Sequence, residues 1–187
     1  MRLAVLDANV LYPAHLRDVL LRLAAGGFYR PRWSARIHEE WTRNLLANRP
    51  DLTAEQLART RELMERAFPD ADVEGYERHE GGLAMPDPDD RHVLAAAVEA
   101  EAGEVVTWNL GDFPEVALRP LGIEAVSPDS FVGSMLEDDP DRVVAALRAL
   151  RAGLHRPPIT ASEYLGHLER AGLTGVVAAL QRMGADL

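Results

Sequence analysis

The chain contains neither cysteine nor lysine among its 187 residues, so all 20 of its Lys-plus-Arg positions are arginine. Without cysteine, disulfide bonds and thiolate metal sites are excluded, and any metal ligand would be an oxygen or an imidazole nitrogen. No segment approaches the apolar run of about 20 residues that a membrane span requires. The N-terminal apolar stretch reaches an acid already at Asp7, too early for a signal peptide, so we expect a cytoplasmic protein.

A formal net charge of −10 argues against a general nucleic-acid coat protein, which is usually basic. The charge is unevenly distributed, however. Residues 1–50 carry eight arginines and four acids, whereas residues 51–137 carry six arginines and twenty acids. This division suits a protein that concentrates carboxylates in one place and binds phosphate nearby. A solvated surface without a function accounts for many of the acids, including Glu74, Glu77 and Glu80.

Hydrophobic spacing predicts strands alternating with helices over the first two thirds of the chain. The predicted strands are 3–6, 28–33, 104–108 and 123–126. The first predicted helix lies around 16–23 and ends at Gly26 and Gly27. Three more are predicted over 35–48 with Ser34 as the cap, from Thr53 towards Phe68, and over 88–102 with Asp87 as the cap. This alternation implies right-handed crossovers and a mostly parallel sheet. Ligand sites in such sheets lie beyond the carboxyl ends of the strands.

The pattern changes at Pro140. Three helical segments, 140–153, 160–171 and 174–183, follow without a strand signal, and the Arg156-Pro157-Pro158 segment is a predicted linker between them. We therefore predict an α/β domain over residues 1–136 and a helical C-terminal appendage over residues 137–187.

Helical geometry separates candidate functional acids from surface acids. On helix 35–48, Glu40 lies at the rim of the apolar stripe of Ile37 and Trp41, whereas Glu39 points away from it. On helix 88–102, Asp90 shares a face with apolar residues, while Asp89 lies about a quarter turn away. An ionised carboxylate on an apolar face is costly unless a cation or a donor network meets it. We therefore select Glu40 and Asp90.

Two more acids follow predicted strands. Asp7 directly follows the first strand with Asn9 two residues on, and Asp112 follows the Val105 strand together with Asn109. Taken singly, each acid is more commonly a loop or capping residue than a ligand. Together with Glu40 and Asp90 they would repel one another unless a divalent cation neutralised them. Oxygen ligands favour Mg²⁺ or Mn²⁺, which can activate water for phosphodiester hydrolysis.

The set of motifs resembles the PIN-domain nuclease family. The resemblance covers residues 1–131. It rests on the order of three segments: Val5-Leu6-Asp7-Ala8-Asn9-Val10-Leu11 with Glu40 six residues after Ser34, Asp87-Pro88-Asp89-Asp90-Arg91-His92, and Val106-Thr107-Trp108-Asn109-Leu110-Gly111-Asp112. Asp7, Glu40, Asp90 and Asp112 match the family's acids, and Asn9 and Thr107 match its polar supports. Asn109 stands where many members carry another acid, which leaves the number of metal ions open.

The resemblance implies a three-layer α/β/α fold that binds Mg²⁺ or Mn²⁺ and cleaves RNA. The commonest bacterial members of this size are VapC-type toxins, each paired with a small antitoxin protein, and the helical appendage resembles the tail of one subset of them. A cognate antitoxin is therefore an expected partner; a homodimer is left open. The target RNA and the cleavage position do not follow from the sequence.

The basic first third provides candidate RNA contacts. Arg32, Arg36 and Arg43 lie at the start of, or along, the helix that carries Glu40, although Arg36 and Arg43 could equally pair with Glu39 on the surface. His92 is expected to be a partly exposed polar residue. Trp108, beside the predicted site, is more commonly a packing residue than a platform for base stacking.

Two alternatives remain. A catalytically idle PIN-like module that binds RNA or protein would be favoured by missing acids, and none of the four is missing. A haloacid-dehalogenase-like phosphatase would also begin with a strand that ends in an aspartate. It requires a second acid two residues on, where this chain has Asn9, and a lysine, which this chain lacks.

Overall fold

The computed structural model of the protein describes residues 2–154 and 158–187 and contains a four-stranded sheet. The strands are β1 (Leu3–Leu6), β2 (Arg30–Arg32), β3 (Glu104–Val106) and β4 (Glu124–Val126), in the order β2-β1-β3-β4, and every neighbouring pair is parallel. Leu6 at the end of β1 lies opposite Val106 at the end of β3. The residues that follow these two central strands therefore leave the sheet at the same edge. The predicted α/β class with a parallel sheet is confirmed.

Eleven α-helices lie in the described residues. They are α1 (Ala8–Leu11), α2 (Ala14–Ala25), α3 (Ala35–Asn48), α4 (Ala54–Ala67), α5 (Glu77–Glu80), α6 (Arg91–Glu99), α7 (Glu115–Leu118), α8 (Pro128–Asp138), α9 (Pro140–Gly153), α10 (Ala161–Arg170) and α11 (Thr174–Arg182). Three short 3₁₀ turns, Pro88–Asp90, Leu110–Asp112 and Arg119–Leu121, complete the set. Among the residues described, no helix is both long and apolar enough to cross a bilayer.

The chain forms two compact units. The first comprises the residues up to Tyr12 together with Tyr29–Val126, and it contains the whole sheet. Helix α6 packs against β1 and β3 in this unit. Val5 and Val105 in the strands are fully buried, as are Trp33 and Trp41. Burial of such large apolar side chains is the main stabilising contribution to the unit.

The second unit comprises Pro13–Phe28 and Ser127–Leu187, and it is helical. Helix α2 packs against α9, and α8 packs against α11. The carboxylate of Asp129 accepts hydrogen bonds from the backbone N–H groups of Gly175 and Val176 at 2.9 and 3.0 Å, which caps α11. Helix α2 ends before the Gly26-Gly27 pair, as predicted. Gly27 adopts a left-handed conformation with a φ of 79°, which glycine tolerates and which ends the helix. The predicted division into residues 1–136 and 137–187 stays a prediction.

The helix predicted over 88–102 is shorter at both ends. Asp87 accepts a hydrogen bond from the backbone N–H of Asp89, and the chain first makes a 3₁₀ turn, so α6 begins only at Arg91. The helix ends at Glu99 because Glu101 adopts a left-handed conformation with a φ of 51°. Gly103 is thus not the residue that stops it. Asp90 consequently lies at the junction of the turn and the helix.

Other segments also differ from the sequence-based prediction. Helix α8 was not predicted; Ser127 caps it, accepting a hydrogen bond from the backbone N–H of Ser130. The predicted strand over 28–33 is limited to β2, and Trp33 forms an isolated parallel bridge with Asp72 instead. Helices α3 and α9 have the predicted bounds. In the predicted linker, Arg156 and Pro157 lie outside the described residues.

Candidate active site

The carboxylate of Asp7 is buried at the carboxyl end of β1, where three donors surround it. Its Oδ1 accepts a hydrogen bond of 2.6 Å from the backbone N–H of Ala8, so that Asp7 also caps α1. Its Oδ2 accepts hydrogen bonds of 2.7 Å from the amide of Asn9 and from the hydroxyl of Thr107. Burial raises the pKa of Asp7, and the bonds from Thr107 and Ala8 oppose that effect by stabilising the charged form.

The polar supports form a connected network around Thr107. The Asn9 amide donates to the Thr107 hydroxyl oxygen at 2.9 Å, and the backbone N–H of Asn109 donates to the same oxygen at 3.0 Å. The backbone N–H of Trp108 donates to Oδ1 of Asn9 at 3.1 Å. The loops after β1 and β3 are therefore joined by side chains. The network includes the side chains of Asn9 and Thr107. Asn109 takes part through its backbone N–H.

Asp90 is partly buried and lies within electrostatic range of two other predicted site acids. Its pKa is raised to about 6, first by burial and then by the negative charges of Asp7, Asp112 and Asp87. Asp90 comes from the start of α6, Asp7 from the end of β1 and Asp112 from the turn after β3. Carboxylates from two other elements therefore act on Asp90. Asp89, by contrast, is exposed, as the helix-face argument predicts.

Glu40 lies on α3 between a histidine and an arginine. Its Oε1 is 3.0 Å from Nε2 of His92 and 3.6 Å from Nε of Arg36. The charge of Glu40 also raises the pKa of Asp7, after the larger effect of burial. Glu40 is thus near both His92 and Asp7. Its neighbour Glu39 is exposed, in agreement with the face assigned from the sequence.

The expectation that His92 is partly exposed is wrong. Its relative exposure is 1%, and its ring contacts Glu40. The helix-wheel argument missed this residue because six consecutive residues of α6, His92 to Ala97, are buried, so the helix has no polar side at this point. The signal in the sequence was a histidine that directly precedes an unbroken run of six apolar residues, two positions after a candidate acid.

The three candidate arginines have different environments. Arg32 donates to the backbone carbonyls of Pro31 and Asp70 at 3.3 and 2.5 Å. Arg36 lies 3.6 Å from a carboxylate oxygen of Glu80 as well as from Glu40, and so its ion-pair partners are not Glu39. Arg43 is exposed. An open cavity of about 470 Å³ is lined by six charged residues: Arg36, Glu39, Glu40, Arg43, Asp89 and Asp90.

The donor chemistry suits a hard divalent cation. The raised pKa of Asp90 reflects burial and repulsion between carboxylates, which such a cation would relieve. Two of these side chains nevertheless have partners within the protein. The Thr107 hydroxyl donates a hydrogen bond to Asp7, and Nε2 of His92 lies 3.0 Å from Oε1 of Glu40. Within residues 2–154 and 158–187, no group of three or more His, Asp or Glu side chains has the geometry to hold a metal ion.

Comparison with known proteins identifies the family. The sequence profile of the PIN domain matches residues 3–111, a range that includes Asp7, Glu40 and Asp90 and ends one residue before Asp112. This match covers more than half of the chain, and the chain belongs to the PIN-domain family. A second profile, described as the VapC50 C-terminal domain, matches residues 128–182.

One curated relative is the protein named Putative ribonuclease VapC50 from Mycobacterium tuberculosis (strain ATCC 25618 / H37Rv). It is 39% identical to this chain over 79 residues, which is 42% of this chain and 47% of the relative. The match thus spans about half the length of that protein. No solved structure matches the chain. The resemblance to VapC-type PIN-domain proteins stated from the motifs is confirmed by these matches.

Proposed function

We propose that the protein is a metal-dependent endoribonuclease that hydrolyses RNA phosphodiester bonds and that it is the toxin of a toxin–antitoxin pair. Membership of the PIN-domain family and similarity to a protein named as a ribonuclease support the proposal. The observation that carries it is the position of Asp90, a partly buried carboxylate that lies near Asp7 and Asp112 from two other elements and whose pKa the charges of both raise. Such an arrangement is typical of an active site, because perturbed pKa values concentrate there.

In this proposal Asp7, Glu40, Asp90 and Asp112 hold Mg²⁺ or Mn²⁺. When bound, the cation supplies an activated water molecule and stabilises the leaving oxygen of the phosphodiester. Asn9 and Thr107 fix the orientation of the Asp7 carboxylate through hydrogen bonds of 2.7 Å. Arg36 and Arg43 bind RNA phosphates at the rim of the cavity that Glu40 and Asp90 line. Arg32, whose guanidinium binds two backbone carbonyls, contributes less.

The proposed partners are an RNA substrate and a cognate antitoxin protein, and the proposed location is the cytoplasm. The homodimer stays a prediction that sedimentation of the purified protein can check. A catalytically idle binding module is the second candidate. It is favoured by one observation, namely that the described side chains contain no group with metal-holding geometry.

Incubation of the purified protein with a mixed RNA in the presence of Mg²⁺ or Mn²⁺ distinguishes these two functions. The wild type should cleave the RNA, and Asp7→Asn, which keeps the shape of the side chain but not its charge, should not. RNA binding without cleavage by either protein would favour the idle module.

A further inference from the structure

The imidazole of His92 makes one close polar contact in the described part of the protein, and that contact is with Glu40. The Nε2 atom lies 3.0 Å from Oε1 of Glu40, and the side chain is 1% exposed. The Nδ1 atom is buried and has no hydrogen-bond partner in that part of the chain. The histidine therefore does not belong to a wider polar network in the core.

A buried imidazole with one unpaired nitrogen lowers the stability of the fold, which favours a functional role for its contact with Glu40. A buried polar group costs free energy when its hydrogen-bonding capacity is only half used. The residues that follow His92 in α6, from Val93 to Ala97, are all buried and apolar. The imidazole is the one polar side chain among the buried residues of α6, and its one close polar contact is with a predicted site acid.

The two neighbours of Glu40 also differ in rigidity. Arg36 is 38% exposed and lies equally far, 3.6 Å, from Glu40 and from Glu80, so it is shared between two carboxylates. The buried ring of His92 has no such freedom. His92 also lowers the pKa of Asp7 and of Asp90 electrostatically, against the larger effect of burial, which places the ring near both carboxylates.

We propose that His92 is a positioning residue that fixes the carboxylate of Glu40 in the orientation needed for metal binding. A glutamate side chain has several rotatable bonds, and a contact of 3.0 Å with a buried ring restricts them. Partners of metal-binding carboxylates act in this way in many metal sites. The inference rests on the proposed function, because Glu40 is a metal ligand only in that function.

The variants His92→Gln and His92→Met provide a matched test. Glutamine and methionine have similar length and volume, but only the glutamine amide can donate to Oε1 of Glu40. His92→Met should lower kcat for RNA cleavage about 10–100-fold, with KM changed by less than about twofold. His92→Gln should restore most of that loss. His92→Met should not reduce the unfolding temperature, because the ring that it replaces is buried with its Nδ1 atom unpaired.

A histidine with another role serves as the control. His38 is also 1% exposed, but it accepts a hydrogen bond of 2.9 Å from the indole N–H of Trp41 and is not paired with Glu40. His38→Met should cost stability and leave kcat of the remaining folded protein within about twofold of the wild type. Comparable losses of kcat in His38→Met and His92→Met would overturn the proposal.

The affinity for Mn²⁺, measured by electron paramagnetic resonance without RNA, provides a second readout. His92→Met should weaken it about tenfold in the wild-type background and by less than about twofold in a Glu40→Ala background, because the effect acts through Glu40. Equal weakening in both backgrounds would overturn the inference. If the wild type binds Mn²⁺ but does not cleave RNA, the nuclease proposal fails while this comparison still decides the role of His92. If the wild type does not bind Mn²⁺, both proposals fail.

Discussion

The hydroxyl of Thr107 donates a hydrogen bond of 2.7 Å to Oδ2 of Asp7, although the two residues lie 100 positions apart in the chain. The pairing of Leu6 with Val106 explains this contact, because the next residue of each strand emerges at the same sheet edge. The same hydroxyl oxygen accepts hydrogen bonds from Asn9 and Asn109. Thr107 thus connects the two loops from which Asp7 and Asp112 come.

Thr107→Val should therefore reduce RNA cleavage about 10–100-fold, because it removes one donor to the Asp7 carboxylate while keeping the β-branched shape. The cost in unfolding free energy should be about 1.5–3 kcal/mol, the usual range for a hydrogen bond to a charged group. Thr107→Ser keeps the hydroxyl and is the control. Cleavage rates and urea denaturation curves check this prediction, and equal losses in the valine and serine variants would contradict it.

The adjacent residues Glu39 and Glu40 provide a matched pair. Glu40→Gln should reduce cleavage roughly 100-fold or more, since a carboxylate that binds the metal contributes several kcal/mol to transition-state stabilisation. Glu39→Gln makes the same chemical change on an exposed residue and should leave the rate within about twofold. The measurement is the initial rate of RNA cleavage. Similar losses in both variants would show that the face assignment of α3 does not decide function.

The stability of the metal-free protein should depend on pH through Asp90. Its pKa is about 6 in the folded protein and 3.8 in the absence of perturbation, so the folded state binds the proton more tightly than the unfolded state. This contribution to stability is fully present below about pH 4 and is lost as the pH rises through about 6. Asp7, whose pKa is also raised, acts in the same direction.

Asp90→Asn should remove part of this pH dependence and raise the stability of the metal-free protein at pH 7 relative to the wild type. The exposed Asp89 provides the control variant Asp89→Asn, which should follow the wild-type curve. Urea midpoints measured between pH 4.5 and 7.5 in chelator-treated protein check the expectation. If the urea midpoint of Asp90→Asn changes with pH as steeply as that of the wild type, repulsion at this carboxylate does not limit the stability.

Arg36 and Arg43 should guide RNA to the cavity that they line with Glu40 and Asp90. Each true phosphate contact releases counterions, so replacing both arginines by alanine should flatten the salt dependence of RNA binding by about two units of slope. The measurement uses the inactive Asp7→Asn background. The double variant Arg59→Ala, Arg66→Ala on α4 changes the charge equally at exposed positions and should keep the original slope. Equal slopes in the two double variants would place the RNA elsewhere.

The sequence allowed good predictions where local signals fix the structure. Helix α3 has the predicted bounds because Ser34 caps it, through a bond from the backbone N–H of Ile37, and because Pro50 follows it. The buried strand before Asp7 and its pairing partner before Thr107 were predicted from short apolar runs and from the rule for parallel sheets. The network of Asn9 and Thr107 around Asp7 agrees with the roles that the family resemblance implied.

Features that depend on tertiary packing were not predictable in the same way. His92 is buried by contacts around the whole of α6, and no periodicity shows which of six consecutive buried residues faces Glu40. The early end of α6 depends on the left-handed conformation of Glu101, a residue type that rarely adopts it. Arg36 forms an ion pair with Glu80, which is 44 positions later in the chain and was interpreted from the sequence only as a surface acid.

The metal dependence of RNA cleavage tests the central claim most directly. Protein stripped of metal with EDTA and separated from the chelator should be inactive on mixed RNA, and added Mg²⁺ or Mn²⁺ should restore cleavage better than Ca²⁺, which requires more ligands at longer distances. Asp7→Asn should stay inactive under all these conditions. Cleavage that persists in the metal-stripped wild type, or that is equally strong in Asp7→Asn, would contradict a site in which carboxylates act through a bound cation.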